Sequence, residues 1–222
     1  MPMKKAIVYE NRQEAGMILA SHLTPHITRE TVILSLPRGG TIVAGEITQL
    51  FDLPHGLIIV RKIGAPFDPE IAIGAVTPDG QFIANERYIE ALAIPQDYIE
   101  NQKALEYQEI QRRLSLFQQN SVFPEIQGKS LIVVDDGIAT GYTMEAALRW
   151  LKTYHPKEIC LAAPVGSREA LNRLRHWTDL MICPYIPDPF TAVGHYYRTF
   201  EPVSDTAVQS ALTTSIHSAK SR

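Results

Sequence analysis

Residues 131–143 constrain this chain more than any other stretch. Four apolar residues, Leu131-Ile-Val-Val134, lead into two adjacent carboxylates, Asp135 and Asp136, and then into Gly137-Ile138-Ala139-Thr140-Gly141-Tyr142-Thr143. A short apolar run bounded by turn residues reads as a buried strand, and the Gly- and Thr-rich stretch behind it opens a helix near Thr143. In open α/β sheets, ligands bind outside the carboxyl ends of the strands, and a helix N-terminus behind a Gly-rich turn is an anion site. Gly137 and Gly141 let backbone N–H groups approach a phosphate closely, while Thr140 and Thr143 add hydroxyl donors. Two carboxylates beside such a cradle would by themselves repel an anion. They have a use if they accept hydrogen bonds from sugar hydroxyls or hold a hydrated Mg²⁺.

Around this segment the chain alternates helix and strand. Asn11 caps a helix running to residue 23, with Ala15, Ile18, Leu19 and Leu23 on one face. Strands are predicted at 31–36, 57–60, 130–134, 158–163 and 180–183, with helices at 41–51, 143–154 and 168–177. Pro78-Asp79-Gly80 turns a hairpin between 72–77 and 81–84. One long helix is expected over 95–119, its apolar side formed by Ile99, Leu105, Ile110, Leu114 and Phe117. Short apolar strands alternating with helices imply an α/β fold, an open and mostly parallel sheet with helices on both faces. The expected organisation is a single domain over residues 1–206, with cap elements from 64–120 and 184–206, and a flexible Ser-, Thr- and Ala-rich tail over 207–222.

Composition excludes several classes. With 45% apolar and 20% charged residues the chain is not disordered, and a net charge of −3 provides no bulk basic field for nucleic acid. No apolar run approaches the roughly 20 residues of a membrane span, and the Met-Pro-Met-Lys-Lys start is no signal-peptide core, so a cytoplasmic location is expected. Cys160 and Cys183 each sit in an apolar segment and read as core thiols.

The stretch from Leu131 to Thr143 resembles the phosphoribosyl diphosphate signature of type I phosphoribosyltransferases: an apolar strand, two acidic residues and a Thr-Gly-x-Thr loop. Two further segments carry the resemblance. Leu36-Pro37-Arg38-Gly39-Gly40 follows a strand and opens a helix, like the family's pyrophosphate loop with its cis peptide, here placed at Pro37–Arg38. Val60-Arg61-Lys62-Ile63-Gly64-Ala65-Pro66, continuing through Glu70 to Gly74, resembles the Arg-Lys stretch and closing loop of several such enzymes. The chain looks most like the family's uncharacterised bacterial branch, from about residue 12 to 208.

The resemblance implies a transferase that moves a 5-phosphoribosyl group from phosphoribosyl diphosphate to a nucleobase or another small acceptor, with release of pyrophosphate. It implies that Asp135 to Thr143 bind the phosphoribosyl moiety and that Arg38, Gly39, Gly40, Arg61 and Lys62 bind the diphosphate. Arg38, Arg61, Lys62 and Asp136 would assist the chemistry. Mg²⁺ would be held through substrate and water near Asp135 and Asp136, with no direct protein ligand. A homodimer or higher homo-oligomer and a place in nucleotide metabolism or salvage are further family expectations. At position 139, where relatives using 6-oxopurines carry an Asp, this chain has Ala139, which accepts no proton. Acceptor contacts are expected from Glu70 and from the aromatic stretch 185–200, with Phe190, His195 and Tyr196 as candidates; a packed cap is the other reading of that stretch. The rival functional reading is a regulator that senses phosphoribosyl diphosphate on the same fold without catalysis.

Overall fold

The apolar run at 131–134 is the middle strand of a parallel sheet. The computed structural model describes residues 7–117 and 125–219. Its elements run α1 (Arg12–Leu23), β1 (Thr31–Ser35), α2 (Gly39–Phe51), β2 (His55–Leu57), β3 (Arg61–Ala65), β4 (Asp68–Val76), β5 (Phe82–Ala84), α3 (Glu86–Ala91), α4 (Gln96–Phe117), β6 (Ser130–Val134), α5 (Tyr142–Lys152), β7 (Glu158–Ala162), α6 (Arg168–Leu174), β8 (Leu180–Ile182) and α7 (Asp205–Ala219). The parallel strands lie in the order β2-β1-β6-β7-β8, with Ser35 beside Val134 and Val134 beside Ala162.

Both faces of this sheet are covered, which is why its strands read as continuous apolar runs rather than alternating ones. Leu34, Leu131, Val133 and Leu161 point toward Met144, Leu148 and Leu151 of α5 and Leu171 of α6. Ile33, Ile132, Val134 and Cys160 point the other way, toward Leu19 and Leu23 of α1 and Val43 and Ile47 of α2. From β1 the chain crosses to β2, and from β6 it crosses in the opposite direction to β7. A crevice therefore opens above the carboxyl ends of β1 and β6, where strand order reverses.

A second sheet, antiparallel in the order β3-β4-β5, packs Ile63, Ile73 and Val76 against α4 and α7. The stretch 64–70, expected as part of a closing loop, holds the turn of the β3–β4 hairpin, with Ala65 opposite Asp68. The predicted strand over 57–60 divides into β2 and a buried link, Ile58 to Val60, that leads into β3.

The long helix starts at Gln96 and is preceded by the unpredicted α3; its described part ends at Phe117, while Gln118 and Gln119 lie outside the described residues. Leu105 does not join the apolar side of α4, being 58% exposed. At 3.6 residues per turn, Ile110 and Phe117 return to within about 20° of Ile99, whereas Leu105 falls about 120° away. Ile18 is likewise exposed on α1. The flexible tail expected from 207 is instead α7, held by buried Val208 and Leu212 one turn apart and by Gln209 Nε2 donating to the Leu116 carbonyl at 2.8 Å. The remaining tail residues, 220–222, are not described.

The thiols behave as core residues. Cys160 and Cys183 are free, and burial pushes the pKa of both up to about 12. His55 is less expected. Its Nε2 meets Ser35 Oγ at 2.8 Å, and its Nδ1 is buried without a partner among the described residues. Burial lowers its pKa to about 3, against roughly 6.5 in an unfolded chain. Between those values the unfolded state binds the extra proton. This contribution to stability is therefore complete above pH 6.5 and is lost as pH falls toward 3. Acid titration followed by chemical denaturation should show stability dropping by up to about 1.4 kcal/mol per pH unit below pH 6. His55→Gln should flatten that slope, and an unchanged slope would assign the acid lability to other groups.

Candidate functional site

Two loops touch in the crevice. A Cβ added to Gly39 would lie 1.8 Å from Asp136 Oδ2, and one added to Gly40 would lie 2.8 Å from both the Val134 carbonyl oxygen and Asp135 Cα. Only glycine allows this approach, so the sequence Arg38-Gly39-Gly40 brings its loop directly against the two carboxylates. The Pro37–Arg38 peptide is cis, at the position the family resemblance assigns.

The two carboxylates differ. Asp135 accepts a hydrogen bond from the Asp136 backbone N–H at 2.8 Å. Burial first, and the neighbouring Asp136 second, hold its pKa well above the ordinary carboxylate range. Asp136 has a strong partner: Arg12 Nε donates to its Oδ2 at 2.7 Å, with both side chains largely buried. The Asp136 carbonyl also accepts from Tyr197 O–H at 2.6 Å, and burial raises the Tyr197 pKa.

Arg12 and Arg38 are both held by residues 200–205. The Arg12 guanidinium lies 3.8 Å from the Phe200 ring centroid, and its Nη1 donates to the Glu201 carbonyl at 2.9 Å. Arg38 Nη1 donates to the Val203 carbonyl at 3.2 Å, and its Nε lies 3.0 Å from Asp205 Oδ1.

The loop after Asp136 is braced from below and open above. Ile138 N–H donates to the Val165 carbonyl, Ser167 N–H to the Ile138 carbonyl and Ser167 Oγ to the Ala139 carbonyl, at 2.9, 2.8 and 2.6 Å. Gly141 takes a positive φ of 80° and turns the chain into α5, which begins without a side-chain cap. Its first-turn N–H groups are thus available to an external acceptor. Ala139 and Thr140 are exposed, and Tyr142 and Thr143 half-buried.

The remaining candidates are distributed around this centre. Arg61 is engaged by Glu106 of α4, Nε to Oε2 at 2.6 Å. Lys62 lines a cavity of about 390 Å³ together with Gly74, Asn85, Tyr142, Glu145 and Arg149, and neither Asp135 nor Asp136 lines it. Glu70 lies within β4. Tyr196 is a correction: it is 4% exposed, with its ring against Tyr185 and Phe190, so it has no face left for stacking on an acceptor. The ring cluster of Tyr9, Tyr185, Phe190, Tyr196, Tyr197 and Phe200 is a packed cap, and its Val193 sits against Gly137. His195 is exposed, with Nδ1 at 2.9 Å from Thr191 Oγ1. Among the described residues no group of three His, Cys, Asp or Glu side chains could hold a metal ion.

Arg12, Tyr197 and Asp205 were not picked out as site residues from the sequence. One signal existed for Arg12. It is the first residue of α1, where a cation opposes the helix dipole by about 0.3–1 kcal/mol, so its charge must be matched elsewhere.

Comparison with known proteins agrees with this geometry. The phosphoribosyl transferase domain family matches the chain over residues 11–194. A Mycobacterium tuberculosis CDC 1551 protein provisionally named a phosphoribosyl transferase (MT0597) is 34% identical over 204 residues, covering 90% of this chain and 45% of its own length. An equally similar protein is found in strain H37Rv. The chain spans about half the length of the curated relatives it matches. The crystal structure of TT1426 from Thermus thermophilus superposes with a TM-score of 0.82 at 33% identity, covering 93% of this chain and 98% of that one.

Proposed function

The chain belongs to the phosphoribosyl transferase domain family, and we propose that it binds phosphoribosyl diphosphate across the crevice above β1 and β6 and transfers the 5-phosphoribosyl group to a small nucleophile. The observation that carries this reading is the contact of the two glycines, Gly39 and Gly40, with Asp136 and Asp135. It sets a diphosphate-type loop, a pair of carboxylates and an uncapped helix N-terminus side by side. On this reading the 5′-phosphate lies on the N–H groups from Gly137 to Thr143, the ribose hydroxyls face Asp135 and Asp136, and the diphosphate lies toward Arg38, Gly39 and Gly40.

In the reaction, the bond from ribose C1 to the diphosphate oxygen breaks and its electron pair leaves with pyrophosphate. The nucleophile forms the new bond to C1 from the opposite face and loses its proton to solvent. Positive charge builds on the sugar ring while negative charge builds on the leaving group. Catalysis is then chiefly positioning and electrostatics: the carboxylates face the sugar, and Arg38 faces the diphosphate. Ala139 offers no proton acceptor where relatives using 6-oxopurines carry an Asp, which disfavours a 6-oxopurine as the nucleophile.

Mg²⁺ is part of the proposal. Two neighbouring carboxylates, with no third His, Cys, Asp or Glu grouped with them among the described residues, suit a metal that keeps most of its water and binds mainly through phosphate oxygens. When bound, it would offset the diphosphate charge, with Asp135 and Asp136 as the nearby carboxylates.

Pyrophosphate release from phosphoribosyl diphosphate, measured with Mg²⁺ across nucleobases and small amines, tests the transfer. Release with one acceptor class supports it. Binding of phosphoribosyl diphosphate without release for any acceptor would favour a sensing protein on the same fold.

A further inference from the structure

Residues 200–205 reach both site arginines in different ways. At the near end, Arg12 stacks on Phe200 and donates to the Glu201 carbonyl while its Nε holds Asp136. That arginine is only 11% exposed and cannot leave without stranding Asp136. At the far end, Arg38 meets the Val203 carbonyl and the Asp205 carboxylate. Both side chains are partly exposed, at 41% and 37%, while the Asp205 Oδ1 that faces Arg38 is itself shut off from water. Asp205 Oδ1 receives no aligned N–H, so charge attraction alone holds it 3.0 Å from Arg38 Nε. A part-exposed pair whose buried oxygen accepts no aligned hydrogen bond is weakly held.

Arg38 begins the loop that faces the carboxylates. Its guanidinium can serve an internal carboxylate or an incoming diphosphate, and the diphosphate brings more charge and two adjacent oxygens for the fork. We propose that residues 200–205 form a strap across the diphosphate side of the site, and that Asp205 is a built-in counter-ion which a diphosphate displaces from Arg38. The proposal rests on the reading of the site given above and concerns its regulation. The strap stays attached at Arg12, and α7 stays folded through Val208, Leu212 and the Ser204 Oγ cap on Ala207 N–H. Opening is therefore confined to the Arg38–Asp205 end. Because Asp205 competes for Arg38 and not for the N–H groups of 137–143, it lowers the affinity for diphosphate groups and leaves the affinity for a 5′-phosphate alone unchanged.

Asp205→Asn tests this, with calorimetric titration of inorganic pyrophosphate and of ribose 5-phosphate, each with Mg²⁺. The variant should bind pyrophosphate about fivefold more tightly than the wild type, a gain of about 1 kcal/mol, and ribose 5-phosphate equally well. Asp205→Glu, which keeps the charge, should restore the wild-type value. In the wild type, pyrophosphate should leave amide hydrogen exchange in residues 12–23 and 207–212 unaffected, since both ends of the strap stay anchored. Pyrophosphate affinity that is unchanged or weaker in Asp205→Asn overturns the strap while leaving the parent reading intact. A wild-type protein that takes up neither ligand overturns both.

Discussion

Asp136→Asn should melt well below the wild type, and Asp135→Asn should melt above it. The two carboxylates are neighbours in sequence but opposites in energetics. Asp136 receives a charge-assisted hydrogen bond from a buried arginine, and its loss is expected to cost about 1.5–3 kcal/mol. In a chain of this size that lowers the melting temperature by about 5–10 °C. Asp135 is half-buried, and desolvation and the neighbouring Asp136 raise its pKa, so its ionised form is a burden on the folded state. With the folded pKa above the unfolded one, stability from this group is whole below about pH 4 and falls as pH rises through the folded value. The asparagine variant escapes that loss. Its advantage, about 1 kcal/mol, should grow as pH rises above about 4. Thermal melts of both variants across that range check the sign and the trend. Equal melting of the two would show that Arg12 does not discriminate between the carboxylates.

Gly40→Ala should be the most damaging small substitution in the diphosphate loop. Alanine is favoured over glycine in a helix by about 1 kcal/mol, and Gly40 lies in the first turn of α2, so propensity alone predicts a gain. The structure predicts a loss. The added methyl would meet the Val134 carbonyl and Asp135 Cα at 2.8 Å, and these backbone atoms lie where β6 ends and have no side-chain freedom. Overpacking of this kind costs about 1–3 kcal/mol. Prising the loops apart should also weaken phosphoribosyl diphosphate binding more than tenfold. Chemical denaturation and ligand titration of the same variant separate the two effects. A stabilised variant with normal binding would show that the loops do not need to touch.

The parts of the site legible in the sequence were local ones. The strand from 130 to 134, the acidic pair and the loop through Thr143 follow one another along the chain, and each obeys a short-range rule of burial, turn or helix start. The register of β1 beside β6 then joins that segment to Arg38-Gly39-Gly40. Arg12 could not be placed the same way. Its partner Asp136 lies 124 positions away, and nothing near Arg12 marks the contact. Asp205 fell at the end of the stretch 184–206 read as a cap, just ahead of the Ser-, Thr- and Ala-rich tail expected from 207, so nothing marked it as the start of a helix, although Val208 and Leu212 stand one helical turn apart and both are buried. In 185–200 the density of rings was visible and its use was ambiguous. Tyr196 and Tyr197 turned inward because the cap must seal against Tyr9 and Val165, leaving its polar atoms to Asp136 and Thr191. Leu105 shows the limit of a hydrophobic count, since its phase on α4, and not its chemistry, put it in water.

The central claim is that one ligand spans both loops, with its 5′-phosphate on 137–143 and its diphosphate on 38–40. Calorimetric titration of the wild-type chain with phosphoribosyl diphosphate in the presence of Mg²⁺, repeated with ribose 5-phosphate or inorganic pyrophosphate already bound, tests it most directly. The predicted result is tighter binding of the whole ligand than of either half, with each half reducing its apparent affinity. Absence of binding, or binding that neither half opposes, would contradict the claim.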